Sequence, residues 1–79
     1  MRLDEIREKM LVLLMEDLWV PDSTIAEKLR IKVPLATYHL NELRASDLIE
    51  SVSAGIITHE PNRRISQKGR SYLVTYGLL

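Results

Sequence analysis

The spacing of apolar residues along the chain predicts three helices, a β-rich segment and a last helix. Apolar residues recur at helical intervals between Asp4 and Trp19, and Pro21 ends that segment because the residue before a proline is disfavoured in helical geometry. The stretch "DSTIAEKL" (22–29) has helical spacing as well. A third helix is predicted to begin at Pro34, since proline is favoured at a first helical position, and to run through "PLATYHLNELRAS".

The pattern changes after the third helix. Residues 49–66 are rich in β-branched side chains and turn formers, which predicts a hairpin of 55–60 with 63–66 and a tip at "EPNR" (60–63). Ser66 is then expected to cap a last helix, "QKGRSYLVTYGLL". The predicted order is ααα-ββ-α, so the fold class is mainly α with a β-hairpin.

The junctions around the second helix carry further signals. Asp22 or Ser23 is expected to cap its start, with Glu27 placed to complete a capping box. The turn that follows, "RIKV" (30–33), lacks the glycine that commonly ends a helix. We expect Ile31 and Val33 to fill the space between the second and third helices.

The first helix is apolar on nearly every side. One stripe contains Leu3 and Met10, and a second contains Val12 and Met15. A helix of this kind is buried on most sides, and a 79-residue monomer offers little material to cover it. The pattern therefore predicts a homodimer whose interface uses the first and last helices, with these residues: Leu11, Val12, Met15, Leu18, Trp19, Tyr72, Tyr76 and Leu79.

Length and composition limit the possible classes. A chain of 79 residues with 46% hydrophobic content is expected to form one globular domain. It has no cysteine, which excludes disulfides and thiolate metal sites and fits a reducing cytosol. The longest apolar run, "MLVLLM" (10–15), is too short to cross a bilayer. These features predict a cytoplasmic protein without a membrane partner.

Charge is neutral in total but unevenly distributed. Residues 1–27 carry three basic and seven acidic side chains, whereas 28–79 carry eight basic and four acidic ones. Within the second part, 28–46 and 61–79 are the two basic segments. This asymmetry indicates an anionic partner that contacts two separate places on the chain.

The ordered motifs "IAEKL", "YHLNEL", "DLIE" and "ISQKGRSYL" resemble those of winged helix-turn-helix transcriptional regulators. The similarity is to the arsenical-resistance-repressor and multiple-antibiotic-resistance-repressor (MarR-like) kind, and especially to small archaeal regulators of phage-repressor type. It covers roughly residues 22–75. One departure is Asp47, which stands where the family commonly has glycine before "LIE", so the third helix is expected to be capped differently.

The resemblance implies one winged helix-turn-helix domain over 1–79. Its helix-turn-helix would be 22–46, its wing 49–66, and 1–20 and 67–79 would be the dimerisation helices. The third helix would enter the major groove. With Ala36, Leu40 and Leu43 turned inward, the expected base contacts are the outward residues: Leu35, Thr37, Tyr38, Asn41 and Arg44.

Asparagine at position 41 could bond adenine bidentately, and Arg44 could bind guanine or a phosphate. The alternative is that these residues are simply the polar side of a surface helix. Phosphate contacts are expected from small polar and basic residues: Ser23, Thr24, Lys28, Arg30, Lys32 and Lys68. The expected wing contacts are His59, Asn62, Arg63 and Arg64, for which the alternative is a solvated run of charges.

These features together predict a sequence-specific regulator of transcription that binds double-stranded DNA. It would be a homodimer on a palindromic site, most simply a repressor. The alternative is a winged-helix module that docks into a larger protein assembly, which the neutral charge favours. His39 and His59 have no convergent partners in the sequence that would make a metal or catalytic site, so no enzyme activity, metal or cofactor is expected. No small-molecule effector is expected either, because a chain this short has little room for a ligand pocket outside a dimer interface.

Overall fold

The computed structural model describes residues 2–53 and 61–79. Within these ranges the chain forms four helices and three short strands. They are α1 (Glu5–Glu16), β1 (Val20–Pro21), α2 (Asp22–Leu29), α3 (Val33–Ala45), β2 (Ile49–Ser53), β3 (Pro61–Ile65) and α4 (Gln67–Thr75).

The hydrophobic core lies between the helices and one face of the sheet. The expected inward face of α3 is confirmed, because Ala36, Leu40 and Leu43 are fully buried. Ile25 and Ala26 of α2 are buried beside them, and Leu29 packs against the core from its edge. The remaining buried apolar residues come from every other element: Met10, Leu11, Leu14, Val20, Leu48, Ile49, Ile65 and Leu73.

Helix α1 ends at Glu16, three residues before the predicted end. Trp19 has a left-handed backbone, with φ 57°, and the chain then enters β1, where Val20 is buried. This two-residue strand was not predicted, since it is too short to show the alternation of a strand. It pairs with β3, so the residues after α1 join the sheet and do not continue the helix.

The turn between α2 and α3 uses a left-handed arginine in place of glycine. Arg30 has φ 57° and ψ 45°, and its N–H donates to the Glu27 carbonyl at 3.2 Å, while the N–H of Ile31 donates to Ala26 at 3.0 Å. The pair of bonds is the Schellman pattern. Ile31 packs against the core as predicted. Val33 does not: it is 42% exposed, because α3 begins at Val33, one residue earlier than predicted.

Helix α3 ends in the same way. Asp47 has φ 62°, its N–H donates to Arg44 at 2.9 Å, and Leu48 N–H donates to the Leu43 carbonyl at 3.0 Å. An aspartate therefore adopts the left-handed conformation that glycine usually takes after a helix, and the buried Leu48 supplies the apolar contact that accompanies this motif.

The three strands form an antiparallel sheet in the order β1-β3-β2. Ile49 pairs with Ile65 and Ser53 pairs with Pro61. The predicted hairpin was therefore wrong in register: the first strand is 49–53, and residues 61–63 lie inside β3 and not at the tip. Buried Ile49 and Ile65 are paired across the two strands, so core packing sets the register. The rest of the predicted hairpin, 55–60, lies outside the described residues.

Helix α4 begins at the predicted cap. Ser66 Oγ accepts from the N–H of Gly69 at 3.0 Å and donates to the Asp47 carbonyl at 2.6 Å. A Cβ on Gly69 would collide with the carbonyl oxygen of Leu48, so only glycine allows this close approach. The helix ends at Thr75, earlier than predicted, and Gly77 then turns the chain with φ 65°.

The start of α2 differs from the prediction. Pro21 occupies the N-cap position, and its side chain makes no capping bond. Asp22 is the first residue of the helix, and its carboxylate bonds to a residue of the sheet, as described below.

Candidate nucleic-acid interface

The outward face of α3 carries the residues expected to contact bases. Leu35, Tyr38, Asn41 and Arg44 are exposed, with Tyr38 at 55%, and Thr37 is half-buried. They share one side of the helix because Ala36, Leu40 and Leu43 fill the other. Whether they contact DNA remains a prediction at this point.

Tyr38 is held from the side by α1. The guanidinium of Arg7 lies 5.7 Å from the centre of the Tyr38 ring, and the neighbouring His39 ring meets Tyr38 edge-on at 5.2 Å. Arg7 Nε also donates to His39 Nδ1 at 3.0 Å. His39 is half-buried and connects α3 with α1.

A buried ion pair lies directly behind the α3 surface. Arg63 of β3 and Asp22 of α2 each have side chains only 2% exposed. Arg63 Nε donates to Asp22 Oδ1 at 2.7 Å, and Arg63 Nη2 donates to Oδ2 at 2.9 Å, which makes the pair bidentate. The remaining contacts of Arg63 are with Ser51 Oγ, at 2.7 Å from Nη1, and Asn41 Oδ1, at 3.0 Å from Nη2.

The ion pair reaches two of the expected base-contacting residues. Thr37 Oγ1 donates to Asp22 Oδ2 at 2.7 Å, and Asn41 accepts from Arg63. In the described part of the chain, no buried side-chain nitrogen or oxygen lacks a hydrogen-bond partner. We call these five residues the clamp: Asp22, Thr37, Asn41, Ser51 and Arg63. It ties α2, α3, β2 and β3 together behind the exposed face of α3.

The expected role of Arg63 as a wing contact was wrong. Its guanidinium is enclosed and all its contacts are within the chain, so it has no surface to offer a phosphate. Successive residues of a strand point to opposite faces, so Arg64 lies on the other side of the sheet. There it donates to Glu50 at 2.8 Å and stacks over Trp19 at 4.8 Å. The two arginines therefore do not form one basic patch.

Two further residues, Asn62 and His59, were expected to be wing contacts. Asn62 is half-buried in β3, opposite Val52 and Pro21. His59 lies outside the described residues. Sequence reasoning missed Asp22 and Ser51 as partners of Arg63. One signal was available, because Arg63 stands two residues before the core residue Ile65 and so shares its face of the strand.

The residues expected at phosphates lie mostly on the surface. Ser23, Lys28, Arg30, Lys32 and Lys68 are exposed, and Thr24 is half-buried in the first turn of α2. Lys28 is 3.2 Å from Asp17, and Lys68 donates to the Ser46 carbonyl at 2.9 Å. Among the described residues, no carboxylate lies within ion-pair distance of four cations: Arg30, Lys32, Arg44 and Arg70.

The expected dimer interface needs one correction. Leu11 is 0% exposed in the core of the single chain, so it cannot meet a second subunit. Met15, Leu18, Trp19 and Leu79 are exposed, and three others are half-buried: Val12, Tyr72 and Tyr76. Val12 lines an apolar surface groove of about 380 Å³ together with Leu13, Leu29 and Leu78.

Tyr72 also has a role within the chain. Its hydroxyl donates to Glu8 at 2.6 Å and accepts from the N–H of Leu3 at 2.7 Å, which holds α4 against α1 and the residues before it. The pKa of Tyr72 is raised mainly by burial of its hydroxyl, and the hydrogen bond to Glu8 raises it further. The pKa of Glu8 is lowered by the hydrogen bond that it accepts from Arg2 and, to a smaller extent, by the one from Tyr72. The hydrogen bond between Arg2 and Glu8 also raises the pKa of Arg2.

Across residues 2–53 and 61–79, no group of three or more histidine, aspartate or glutamate side chains is arranged to hold a metal ion. None of the helices in those ranges has the length and apolar content needed to cross a membrane.

Solved structures with the same fold include several regulators. A point mutant of Lactococcus lactis ZitR is 26% identical over 98% of this chain, with a TM-score of 0.82. ZitR is a zinc-responsive MarR family member. Staphylococcus aureus MepR in a DNA complex matches 95% of this chain with a TM-score of 0.86 and 17% identity. Streptococcus pneumoniae FabT in complex with DNA has a TM-score of 0.85, also with 17% identity over 95% of this chain.

The matches cover only part of those proteins. This chain spans 52% of the ZitR and FabT chains and 62% of the MepR chain. No protein-family model matches the sequence, and no curated protein is significantly similar to it. The helix order, the three-stranded sheet and these likenesses confirm the fold expected from the sequence. The chain is a winged helix-turn-helix protein similar to the MarR-like regulators.

Proposed function

We propose that this chain is a sequence-specific regulator of transcription that binds double-stranded DNA through α3. The observation that carries the proposal is the exposed row on α3, which no other described element covers. Two solved proteins of the same fold, MepR and FabT, are bound to DNA. In the helix-turn-helix class the second helix of the motif lies in the major groove, and α3 is that helix here.

Base contacts are assigned to the outward residues of α3. Arg44 is free of ion pairs with the described residues and carries donors that match guanine. Tyr38 is exposed but braced by Arg7, so less conformational freedom is lost when it binds. Leu35 adds apolar contact to a thymine methyl.

Phosphate contacts are assigned to residues around the helix-turn-helix. Lys32 is the N-cap of α3, where the positive end of the helix dipole also favours a phosphate. Arg30 is exposed in the turn before it. The other residues proposed to meet the backbone are Ser23, Thr24, Lys28 and Lys68. The DNA contacts proposed for the wing are those of Asn62, Arg64 and His59. Arg63 is left out because its guanidinium is enclosed in the buried ion pair.

A homodimer is proposed to place two α3 helices about 34 Å apart on a palindromic site. Support comes from exposed apolar residues after the end of α1 and after α4, Leu18 and Leu79 among them. The proposed interface consists of Val12, Met15, Leu18, Trp19, Tyr72, Tyr76 and Leu79. Such a dimer would act in the cytoplasm as a repressor, by occluding its site.

The test is a fluorescence anisotropy titration of labelled duplexes at several salt concentrations. Arg44→Ala and Tyr38→Ala are expected to abolish the preference for the selected duplex over a random one. Lys32→Ala is expected to weaken both alike and to reduce the slope of log affinity against log salt by about one. Equal losses on selected and random duplex for both classes of variant would refute the assignment.

A second candidate function is a protein-interaction module. Two observations favour it: the chain has no net charge, and an apolar groove lies beside α1. The same titration separates the two candidates, because a module of this kind would bind neither duplex at low salt even at high micromolar concentration.

A further inference from the structure

The clamp sets the orientation of the Asn41 side chain. Arg63 has only hydrogen-bond donors, and its Nη2 lies 3.0 Å from the Asn41 carboxamide. The atom that faces it must therefore be the oxygen, Oδ1, since the amide nitrogen would place two donors against each other. This fixes which edge of the carboxamide is turned toward the sheet.

The opposite edge of Asn41 is left for a ligand. The oxygen and nitrogen of a carboxamide point in different directions, so Nδ2 points away from Arg63. No described residue accepts a hydrogen bond from Nδ2, and the residue is exposed on α3. Asn41 thus offers a ligand two N–H donors and keeps its acceptor for the protein.

Thr37 receives the opposite polarity from the same clamp. Its hydroxyl proton is donated to Asp22 Oδ2 at 2.7 Å, so only oxygen lone pairs and the methyl group remain for other contacts. The carboxylate that orients Thr37 is the one that holds Arg63 in place. One buried ion pair therefore makes Thr37 an acceptor and Asn41 a donor, one turn apart on α3.

We infer that Arg63 and Asp22 are positioning residues that determine sequence preference, with Asn41 reading a hydrogen-bond acceptor in the major groove. The acceptors available there are N7 and O6 of guanine, N7 of adenine and O4 of thymine, whereas cytosine offers only a donor. The bidentate adenine contact expected from the sequence needs Oδ1 to accept from N6 while it also accepts from Arg63, so the contact assigned to the free edge of Asn41 is the one that Nδ2 donates. This inference rests on the proposed DNA-binding function and disfavours cytosine at one position of the site.

The experiment compares variants on a panel of duplexes. Duplexes selected from a random pool by the wild-type chain are substituted one base pair at a time. The base pair at which Asn41→Ala loses discrimination is the one that Asn41 contacts. On the contacted strand, the wild type is expected to disfavour cytosine there by roughly three- to tenfold relative to the other three bases, the range for one hydrogen bond.

The decisive variant is Arg63→Lys. Lysine retains a positive charge for Asp22 but lacks the planar fork that reaches several acceptors at once, so Asn41 is free to rotate. Discrimination against cytosine at that base pair is expected to fall within about twofold, because a freed Oδ1 can accept from cytosine N4. The matched control is Arg2→Lys, the same substitution at an arginine outside the clamp, which pairs with Glu8 and should leave the preference unchanged.

Each result decides the matter. A wild-type preference for cytosine at this base pair, or an unchanged preference in a folded Arg63→Lys variant, would overturn the inference and leave the proposed function intact. If Arg63→Lys does not fold, the wild-type preference on the same panel decides alone. If the wild type selects no duplex, the proposed function fails and the inference fails with it.

Discussion

Removing the carboxylate of Asp22 should destabilise the fold far more than removing an exposed one. In Asp22→Ala the Arg63 guanidinium stays in a site with 2% exposure and loses both bidentate bonds. Breaking a buried pair from one side costs about 3–5 kcal/mol, because the remaining charge is left uncompensated. A domain of this size has a total stability of about 4–12 kcal/mol, at 0.05–0.15 kcal/mol per residue. The variant should therefore lose a large part of its stability.

The assay is urea and thermal unfolding followed by circular dichroism. The expected fall in the unfolding midpoint is about 12–40 °C, at 4–8 °C per kcal/mol for a small domain. The matched control is Asp17→Ala, which removes the same group from the half-exposed pair with Lys28 and should cost at most about 1 kcal/mol.

A double variant tests whether the two charges depend on each other. Asp22→Leu with Arg63→Met replaces both charges by apolar groups, and such replacements of buried pairs are often neutral or stabilising. The double variant should be more stable than Asp22→Leu alone or Arg63→Met alone, with a coupling free energy of at least about 2 kcal/mol between the two positions. Equal costs for Asp22→Ala and Asp17→Ala, or additive effects in the double variant, would refute the reasoning.

Three other changes test the fold at single positions. Gly69→Ala should cost about 1–3 kcal/mol in urea unfolding, because its Cβ would collide with the Leu48 carbonyl; a cost below 0.5 kcal/mol would contradict this close approach. Asp47→Gly should stabilise the fold by about 0.5 kcal/mol, because it relieves the strain of an aspartate in the left-handed conformation. A loss of stability would contradict this and show that the Asp47 carboxylate makes a stabilising contact that outweighs the strain. The pKa of Glu8 is lowered in the folded chain, so ionised Glu8 stabilises the fold at pH values above the usual pKa of a glutamate. That stability is lost as the pH falls through the folded pKa of Glu8. Arg2→Ala should therefore flatten the acid side of the stability profile, whereas an unchanged profile would argue against the pair.

The helices could be predicted from the sequence because each has a clear apolar period. On α3, the inward residues Ala36, Leu40 and Leu43 define the outward face by exclusion, and the structure confirms them. The cap at Ser66 could be predicted as well, because a serine directly before a helix commonly accepts from the N–H three residues later, which is that of Gly69 here.

The sheet and the clamp could not be predicted in the same way. Strand β1 is too short to have a pattern, and the register of β2 and β3 depends on which residues meet in the core. The predicted hairpin places Arg63 at its tip, and arginine is almost never fully buried unless paired. Its partner, Asp22, is 41 residues away, and only the folded chain brings the two together.

The turn after α2 shows a third kind of limit. The sequence indicated a break without glycine, but not which residue would take the left-handed conformation. Arg30 takes it, and the start of α3 at Val33 follows from that geometry. Local propensity disfavours the β-branched Ile31 and Val33 in that conformation, but it does not distinguish Arg30 from Lys32.

Selection of bound duplexes from a random pool tests DNA recognition by α3 most directly. The wild-type chain should enrich one motif with two-fold symmetry and half-sites about one helical turn apart, and Arg44→Ala should lose enrichment at defined base pairs of that motif. A pool that stays random after repeated rounds at low salt, or an Arg44→Ala variant that enriches the identical motif, would contradict recognition through α3.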